Sequence, residues 1–199
     1  KINSDFKKLK KNKVYHLNKQ YSMRMKYLMK SMNLKLNFSK TLIIHIREKE
    51  AKLSSGRSDN LKNYLKTIRY LISKNYNVIR IINNNSEKLS FKKNYFELNI
   101  DKKFNKELQY YIIHKSLGLI SSQSGPAAIA TILSKPILEL NMNNVYPHGV
   151  DKKSLFLLKK VKIKKNIVNF QELLKMKYYK GICIAHSQFK KKQIKIIQN

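Results

Sequence analysis

A short apolar segment that runs directly into an Ala-rich helix constrains the fold most. Residues 117–120 read Leu-Gly-Leu-Ile, which is typical of a buried strand, and a Ser-Ser-Gln-Ser cluster follows. Gly125 and Pro126 then open a helix that runs to about Leu133, because Ser124 or Gly125 suits its N-cap and Pro126 its first turn. Free backbone N–H groups and the positive end of the helix dipole would meet at this turn. The segment therefore predicts an anion site, with an ordinary turn that binds nothing as the alternative.

The same alternation of strand and helix extends along the chain. Apolar, β-branched runs at 41–47 and 78–82 predict strands buried on both faces, and 95–100 and 136–141 predict two more. Helical spacing predicts a helix capped by Ser58 or Asp59, and another with Phe104 among its buried residues. The buried positions of these helices are Leu61, Tyr64, Leu65, Ile68, Leu71 and Ile72 in the first, and Phe104, Leu108, Tyr111 and Ile112 in the second. This order predicts an α/β fold, a Rossmann-like parallel sheet with flanking helices.

The two ends of the chain are predicted to flank this unit. Residues 1–40 are basic and contain a helix at about 19–32, which packs on the following domain or belongs to a missing N-terminal domain. We predict a donor-type domain over 41–186, with peripheral helices at 155–160 and 170–176 and a short strand at 181–185. Residues 187–199 are predicted to be a basic tail that frays.

The net charge of +32, from 43 Lys and Arg against 11 Asp and Glu, favours anionic partners. The lysines are dispersed among many Asn and Ile residues, so AT-rich codon usage is an alternative source of the excess. A non-catalytic nucleic-acid-binding domain is the second functional hypothesis, although the dispersed charge and the lack of an RNA-binding motif make nucleic acid the less favoured partner.

The sequence gives no support for several other kinds of functional site. The single Cys183 excludes an intrachain disulfide and indicates a reducing compartment, and the five histidines lack zinc spacing, so no metal or other cofactor is predicted. The sequence has no G-x-G-x-x-G, Walker A or G-x-S-x-G motif. It has no apolar stretch long enough for a membrane span and no signal peptide, so we expect a cytoplasmic protein. Because it does not begin with Met, we expect a fragment or trimmed chain.

Polar residues stand where the predicted strands end, and in open parallel sheets ligands bind at that edge. They are His45, Arg47 and Glu48 after the first strand, Arg80 near the end of the second, Ser122 and Ser124 after the fourth, and Glu139 and Asn141 in the fifth. Alternatives stay open for each: His45 as a core histidine, Glu48 as the structural partner of Arg47, and Glu139 and Asn141 as solvated residues.

These motifs resemble those of a family of bacterial GT-B-type glycosyltransferases of lipopolysaccharide and capsule synthesis. The matching pieces are His45-Ile46-Arg47, the Arg57 to Tyr64 helix start, Val78-Ile79-Arg80, the Ser122 to Pro126 turn and Lys135-Pro136, in that order over about 41–145. The His-x-Arg strand end is also distantly similar to that of fucosyltransferases, which grip a sugar nucleotide's pyrophosphate with arginine.

The resemblance implies hexosyl or deoxyhexosyl transfer from a nucleotide-sugar donor to a glycan or lipid-linked acceptor, at or near the inner membrane face. It implies that Arg47, Arg57 and Arg80 neutralise the diphosphate, and that Ser122, Ser124 and Gly125 add hydrogen bonds. His45 or Glu48 would activate the acceptor hydroxyl, without a metal. Asn141 and His148 would border the sugar or base, and Glu139 is assigned to the donor-binding residues.

The sequence also departs from the family. Glu48-Lys49-Glu50 follows the His-x-Arg piece, and Ile82 stands where the family has Gly. A GT-B enzyme has two Rossmann-like domains, whereas this chain has one, so a truncated, inactive transferase is the third hypothesis.

Overall fold

The structure is a computed structural model that describes residues 17–48, 59–142, 153–163, 165–168, 171–172 and 194–197. It contains four α-helices: α1 Lys19–Ser31, α2 Leu65–Ser73, α3 Asn105–Lys115 and α4 Gly125–Ile132. Short 3₁₀ helices precede β1 and α2, at Phe38–Lys40 and Leu61–Tyr64. The strands are β1 Thr41–His45, β2 Asn77–Ile82, β3 Tyr95–Asn99, β4 Gly118–Ser122, β5 Ile137–Met142, β6 Leu155–Leu158, β7 Lys160–Ile163, β8 Asn166–Val168 and β9 Ile194–Ile197.

Six strands form one parallel sheet in the order β3-β2-β1-β4-β5-β6. This is the strand order of a doubly wound Rossmann fold, so the predicted α/β class is confirmed. The chain runs outward from β1 to β3 and then crosses back to β4 on the other side of β1. The strand order therefore reverses between β1 and β4, and a crevice opens there at the carboxyl ends of the strands.

Helices cover both faces of the sheet. One face carries Ile43 and Leu119 beneath α1, α3 and α4, and the other carries Ile44 and Ile120 beneath α2. Because side chains alternate along a strand, neighbouring residues of β1 enter different cores. Met25 of α1 is fully buried in the first of these cores, so α1 packs on the following domain, one of its two expected placements.

Close contact between β4 and β5 depends on a glycine. A Cβ on Gly118 would lie 2.7 Å from the Pro136 carbonyl oxygen. Only a residue without a side chain fits this position without moving the backbone of the neighbouring strand.

Several predicted elements differ from those observed. The 155–160 segment, predicted as a helix, is β6 followed by the start of β7, because β5 supplies hydrogen-bond partners to an apolar run too short to reveal its period. The tail predicted to fray contains β9, which pairs antiparallel with β7. Of the 170–176 helix only residues 171–172 are described, as helical, and the 181–185 strand lies outside the described residues.

Two helix starts also differ from the prediction. The helical segment predicted to start after Ser58 or Asp59 begins as the 3₁₀ helix at Leu61, whose N-cap is Asn60, which accepts from the Lys62 N–H at 2.9 Å. Phe104 was expected on the buried side of α3 but occupies its N-cap position with a left-handed backbone (φ 66°) and is exposed. Its ring instead contacts the cationic side chains of Arg24 and Lys103.

Candidate functional site

A cleft of about 480 Å³ lies at the carboxyl edge of the sheet, beside the point where the strand order reverses. Its walls come from the end of β1, the end of β2 with the loop after it, and the start of α4. The lining residues are His45 to Glu48, Ile81 to Asn83, Asn85, Ser86, Ile100, and Ser124 to Pro126. Five of the predicted site residues, His45, Arg47, Glu48, Ser124 and Gly125, therefore meet in one cavity of a size typical for small-molecule ligands.

The hydroxyl groups of Ser124 and Ser121 hold His45 in place. Its Nδ1 lies 2.8 Å from Ser124 Oγ, and that hydroxyl lies 2.9 Å from Ser121 Oγ. Burial lowers the pKa of His45 from 6.5 to about 4, and the nearby charges of Arg47 and Arg80 act in the same direction. The imidazole is therefore neutral at physiological pH.

The start of α4 lies at the cleft, where Ser124, Gly125 and Pro126 are among the lining residues. Ser124 occupies the N-cap position, yet its hydroxyl makes no cap hydrogen bond because it is engaged with His45 and Ser121. A Cβ on Gly125 would meet no atom within 4 Å, so open space adjoins this residue. A ligand can therefore approach the backbone at the positive end of the helix dipole.

Arg47 lines the cleft and has a backbone fixed by hydrogen bonds. Its N–H donates to Ser122 Oγ at 2.7 Å, and its carbonyl accepts from the Asp59 N–H at 2.7 Å. Among the described carboxylates, none forms an ion pair with its guanidinium. A half-buried Arg that pairs with no described carboxylate and stands beside a helix start suits a phosphate group.

Arg80 lies on the opposite face of the sheet and does not line the cleft. It pairs with Ile44 in register, whereas His45 pairs with Ile81, so strand alternation turns Arg80 away from His45. Its guanidinium is fully buried and bonds the carboxylates of Glu48 and Glu97, the latter at 2.8 Å. The geometry does not support its predicted contact with a diphosphate.

Glu48 has a structural partner, but that partner is Arg80 and not Arg47. One carboxylate oxygen accepts from Arg80, and the other accepts from the Glu87 N–H at 3.0 Å. Arg80 also donates to the Glu87 carbonyl at 2.6 Å. Although Glu48 borders the cleft, one of its oxygens bonds Arg80 in β2 and the other holds the loop after β2, which leaves it poorly placed to take a proton from a ligand.

The remaining predicted residues lie elsewhere. The Ser122 hydroxyl accepts from the backbone of Arg47, and Glu139 is buried in β5 beside Ser121, so neither lines the cleft. The side chain of Asn141 donates to Asp59 at 2.5 Å, a carboxylate that also accepts from the Tyr64 hydroxyl. This arrangement joins the end of β5 to the start of the helical segment at Leu61 and is structural. Arg57 and His148 lie outside the described residues.

The sequence reasoning missed two groups of residues. Asn83, Asn85 and Ser86 line the cleft after β2, and the strand-end rule that selected the other residues applies equally to them. Ser121 was seen only as part of a polar cluster, yet it pairs with His45 in register and therefore lies on the same face of the sheet. Counting alternate positions along the strands would have favoured Ser121 over Ser122.

The described ranges also bear on two other kinds of feature, a metal site and a membrane-spanning helix. Within 17–48, 59–142 and the short stretches beyond, no three or more His, Cys, Asp or Glu residues are grouped so that they could hold a metal ion. In the same part of the chain, every helix is too short or too polar to cross a bilayer.

Comparison with known proteins shows the fold. No protein-family model and no curated protein matches this sequence. The E. coli ADP-heptose LPS heptosyltransferase II aligns with a TM-score of 0.55 at 12% identity, over 71% of this chain and 44% of that one. A glycosyl transferase family 9 structure from Veillonella parvula DSM 2008 aligns with a TM-score of 0.55 at 10% identity, over 72% and 41%. The chain thus spans less than half the length of these two glycosyltransferases, which share its Rossmann-like fold.

Proposed function

We propose that this domain binds the diphosphate of a nucleotide-sugar and is the donor-binding part of a glycosyltransferase. One observation carries the proposal: Arg47, which pairs with none of the described carboxylates, and Gly125, which adjoins open space, line the same cleft where the strand order reverses. Two structural neighbours that are glycosyltransferases support this choice among the many functions that Rossmann-like sheets perform.

The chemistry follows from the charges around the cleft. Arg47 would form paired hydrogen bonds with phosphate oxygens, and the first amides of α4 would face the same group. When the bond from the sugar to the diphosphate breaks, negative charge builds up on the departing nucleoside diphosphate. Donors already in position stabilise that charge without a metal.

The acceptor hydroxyl needs a group that accepts its hydrogen bond. Of the two residues predicted for this role, the geometry favours His45, since both carboxylate oxygens of Glu48 already bond protein groups. A bound diphosphate would also offset the positive charges that help to lower the pKa of His45, and would therefore make the imidazole more basic. Arg57 remains a proposed ligand.

The cellular setting is part of the proposal. We place the protein in the cytoplasm, in peripheral contact with the anionic inner face of the membrane, where its net charge of +32 would favour lipid-linked or surface-polysaccharide acceptors. Because the chain spans less than half of its structural neighbours, we propose that it binds the donor and that transfer needs a second domain.

A thermal-shift screen with nucleoside diphosphates and their sugars, at one fixed salt concentration, tests the donor site. A ligand at 100 times its dissociation constant should add about 2.7 kcal/mol of stability. The stabilisation should disappear in Arg47→Ala and persist in Arg69→Ala, which removes the same charge from an exposed position of α2. If RNA and other polyanions stabilise equally, and Arg47→Ala responds like wild type, the donor site is wrong and the nucleic-acid alternative gains support.

A further inference from the structure

Next to the cleft, a continuous series of hydrogen bonds links His45 to the backbone of β4. Nδ1 of His45 lies 2.8 Å from Ser124 Oγ, Ser124 Oγ lies 2.9 Å from Ser121 Oγ, and Ser121 Oγ donates to the Ser122 carbonyl at 2.6 Å. Ser121 is fully buried and Ser124 is 9% exposed, so these bonds are largely shielded from bulk water.

Each hydroxyl carries a single proton, and this fixes the direction of the series. The Ser121 proton is committed to the Ser122 carbonyl, which accepts only, so Ser121 Oγ can meet Ser124 only as an acceptor. Ser124 must then donate to Ser121, and its proton is no longer available for the imidazole. The remaining contact, between Ser124 and His45, requires a proton on Nδ1.

The protonation state of the ring determines which nitrogen of His45 keeps a lone pair. Because burial keeps the pKa of His45 near 4, the imidazole is neutral at physiological pH and carries one proton. With that proton on Nδ1, the other nitrogen, Nε2, holds a lone pair. Nδ1 is also the ring nitrogen through which His45 bonds another described residue, and His45 is one of the residues that line the cleft.

We infer that Ser121 and Ser124 are positioning residues, which hold His45 as the Nδ1–H tautomer and leave Nε2 as a hydrogen-bond acceptor for a hydroxyl group in the cleft. The identity of that hydroxyl, on the acceptor or on the donor sugar, rests on the proposed function. The tautomer does not, since it follows from contacts within the protein. In this state Nε2 cannot donate to a phosphate oxygen, so the phosphate falls to Arg47 and the α4 amides.

The test is a long-range ¹H–¹⁵N NMR spectrum of ¹⁵N-histidine-labelled protein at neutral pH, without ligand. The chain has five histidines, and the signals of His45 are those lost in His45→Gln. We expect a protonated-type nitrogen shift at Nδ1 and an unprotonated-type shift at Nε2. The opposite pair of shifts in the wild-type protein would overturn the inference.

Two variants test the role of Ser121. In Ser121→Ala, Ser124 loses its acceptor and can donate to Nδ1, so the signals of His45 should move toward the Nε2–H tautomer. Ser121→Thr keeps the hydroxyl and should preserve the wild-type shifts. An unchanged tautomer in Ser121→Ala would refute the positioning role, and Ser124→Ala repeats the test should that variant fail to fold. None of these outcomes depends on nucleotide binding, so this inference and the proposed function can fail separately.

Discussion

A substitution of Arg80 tests whether this arginine in a buried strand binds a ligand or stabilises the fold. We consider Arg80→Met, which keeps an unbranched side chain of moderate length and removes the charge. The substitution leaves Glu48 and Glu97, whose side chains are 22% and 14% exposed, without their cationic partner. Loss of one partner from a buried ion pair costs about 3–5 kcal/mol.

The structure places the expected cost at the lower end of that range. Glu97 keeps the Leu89 N–H and the Tyr95 hydroxyl as donors, and Glu48 keeps the Glu87 N–H. We therefore expect about 3 kcal/mol of destabilisation, since partial solvation and these donors compensate some of the uncovered charge. For a protein of this size, that corresponds to a fall in Tm of about 6–12 °C.

Urea denaturation of the variant and of Arg80→Met/Glu97→Gln measures the effect. The double variant should recover part of the lost stability, because neutralising Glu97 removes one uncompensated charge. Arg24→Met is the matched control: Arg24 and Glu107 are about half exposed and 3.3 Å apart, so its cost should stay below about 1 kcal/mol.

One result would refute the reasoning. If Arg80→Met unfolds within about 0.5 kcal/mol of the wild type while its affinity for a nucleoside diphosphate falls at least tenfold, Arg80 is a phosphate ligand. The prediction made from the sequence would then be right, and the structural role assigned to the ion pairs would be wrong.

Three further predictions concern stability around the cleft and the sheet. The pKa of His45 is about 4 in the folded protein and 6.5 in the unfolded chain, so the unfolded chain binds a proton first as the pH falls. The contribution of His45 to the free energy of unfolding, up to about 3 kcal/mol, should be complete above pH 6.5 and be lost toward pH 4. Urea titrations of wild type and His45→Gln across that window check this, and equal slopes would contradict it. Gly118→Ala should cost about 1–3 kcal/mol by unfolding titration because of the Pro136 carbonyl, whereas Gly125→Ala, next to open space, should be neutral; equal effects would contradict the packing argument. Tyr64→Phe should cost about 1–3 kcal/mol in the same assay because buried Asp59 loses a donor, and an unchanged midpoint would count against that bond.

The strands β1 to β5 of the main sheet could be predicted from the sequence because the pattern of each is local. The run at 41–47 is apolar on both faces, as a central parallel strand must be, and the structure places β1 between β2 and β4. The edge strand β6 was not readable, since Leu155 to Leu158 carry no clear period. Their pairing with β5 depends on residues distant along the chain.

For the candidate site, the strand-end rule was informative but incomplete. It identified His45, Arg47 and Ser124, which do meet in the cleft. It also selected Arg80 and Ser122, because it considered where a strand ends and not which face a residue occupies.

The sequence by itself determined that this chain forms a Rossmann-like sheet with polar groups along one edge, because strand and helix periods are encoded by near neighbours. Only the tertiary structure decided which of those groups lie at the cleft and which form ion pairs that stabilise the fold. Strand register placed Arg80 with Glu48 and Glu97 on one face, and His45 with Ser121 on the other. Register is a property of paired strands, and a one-residue difference exchanges the two faces, so no single segment contains that information.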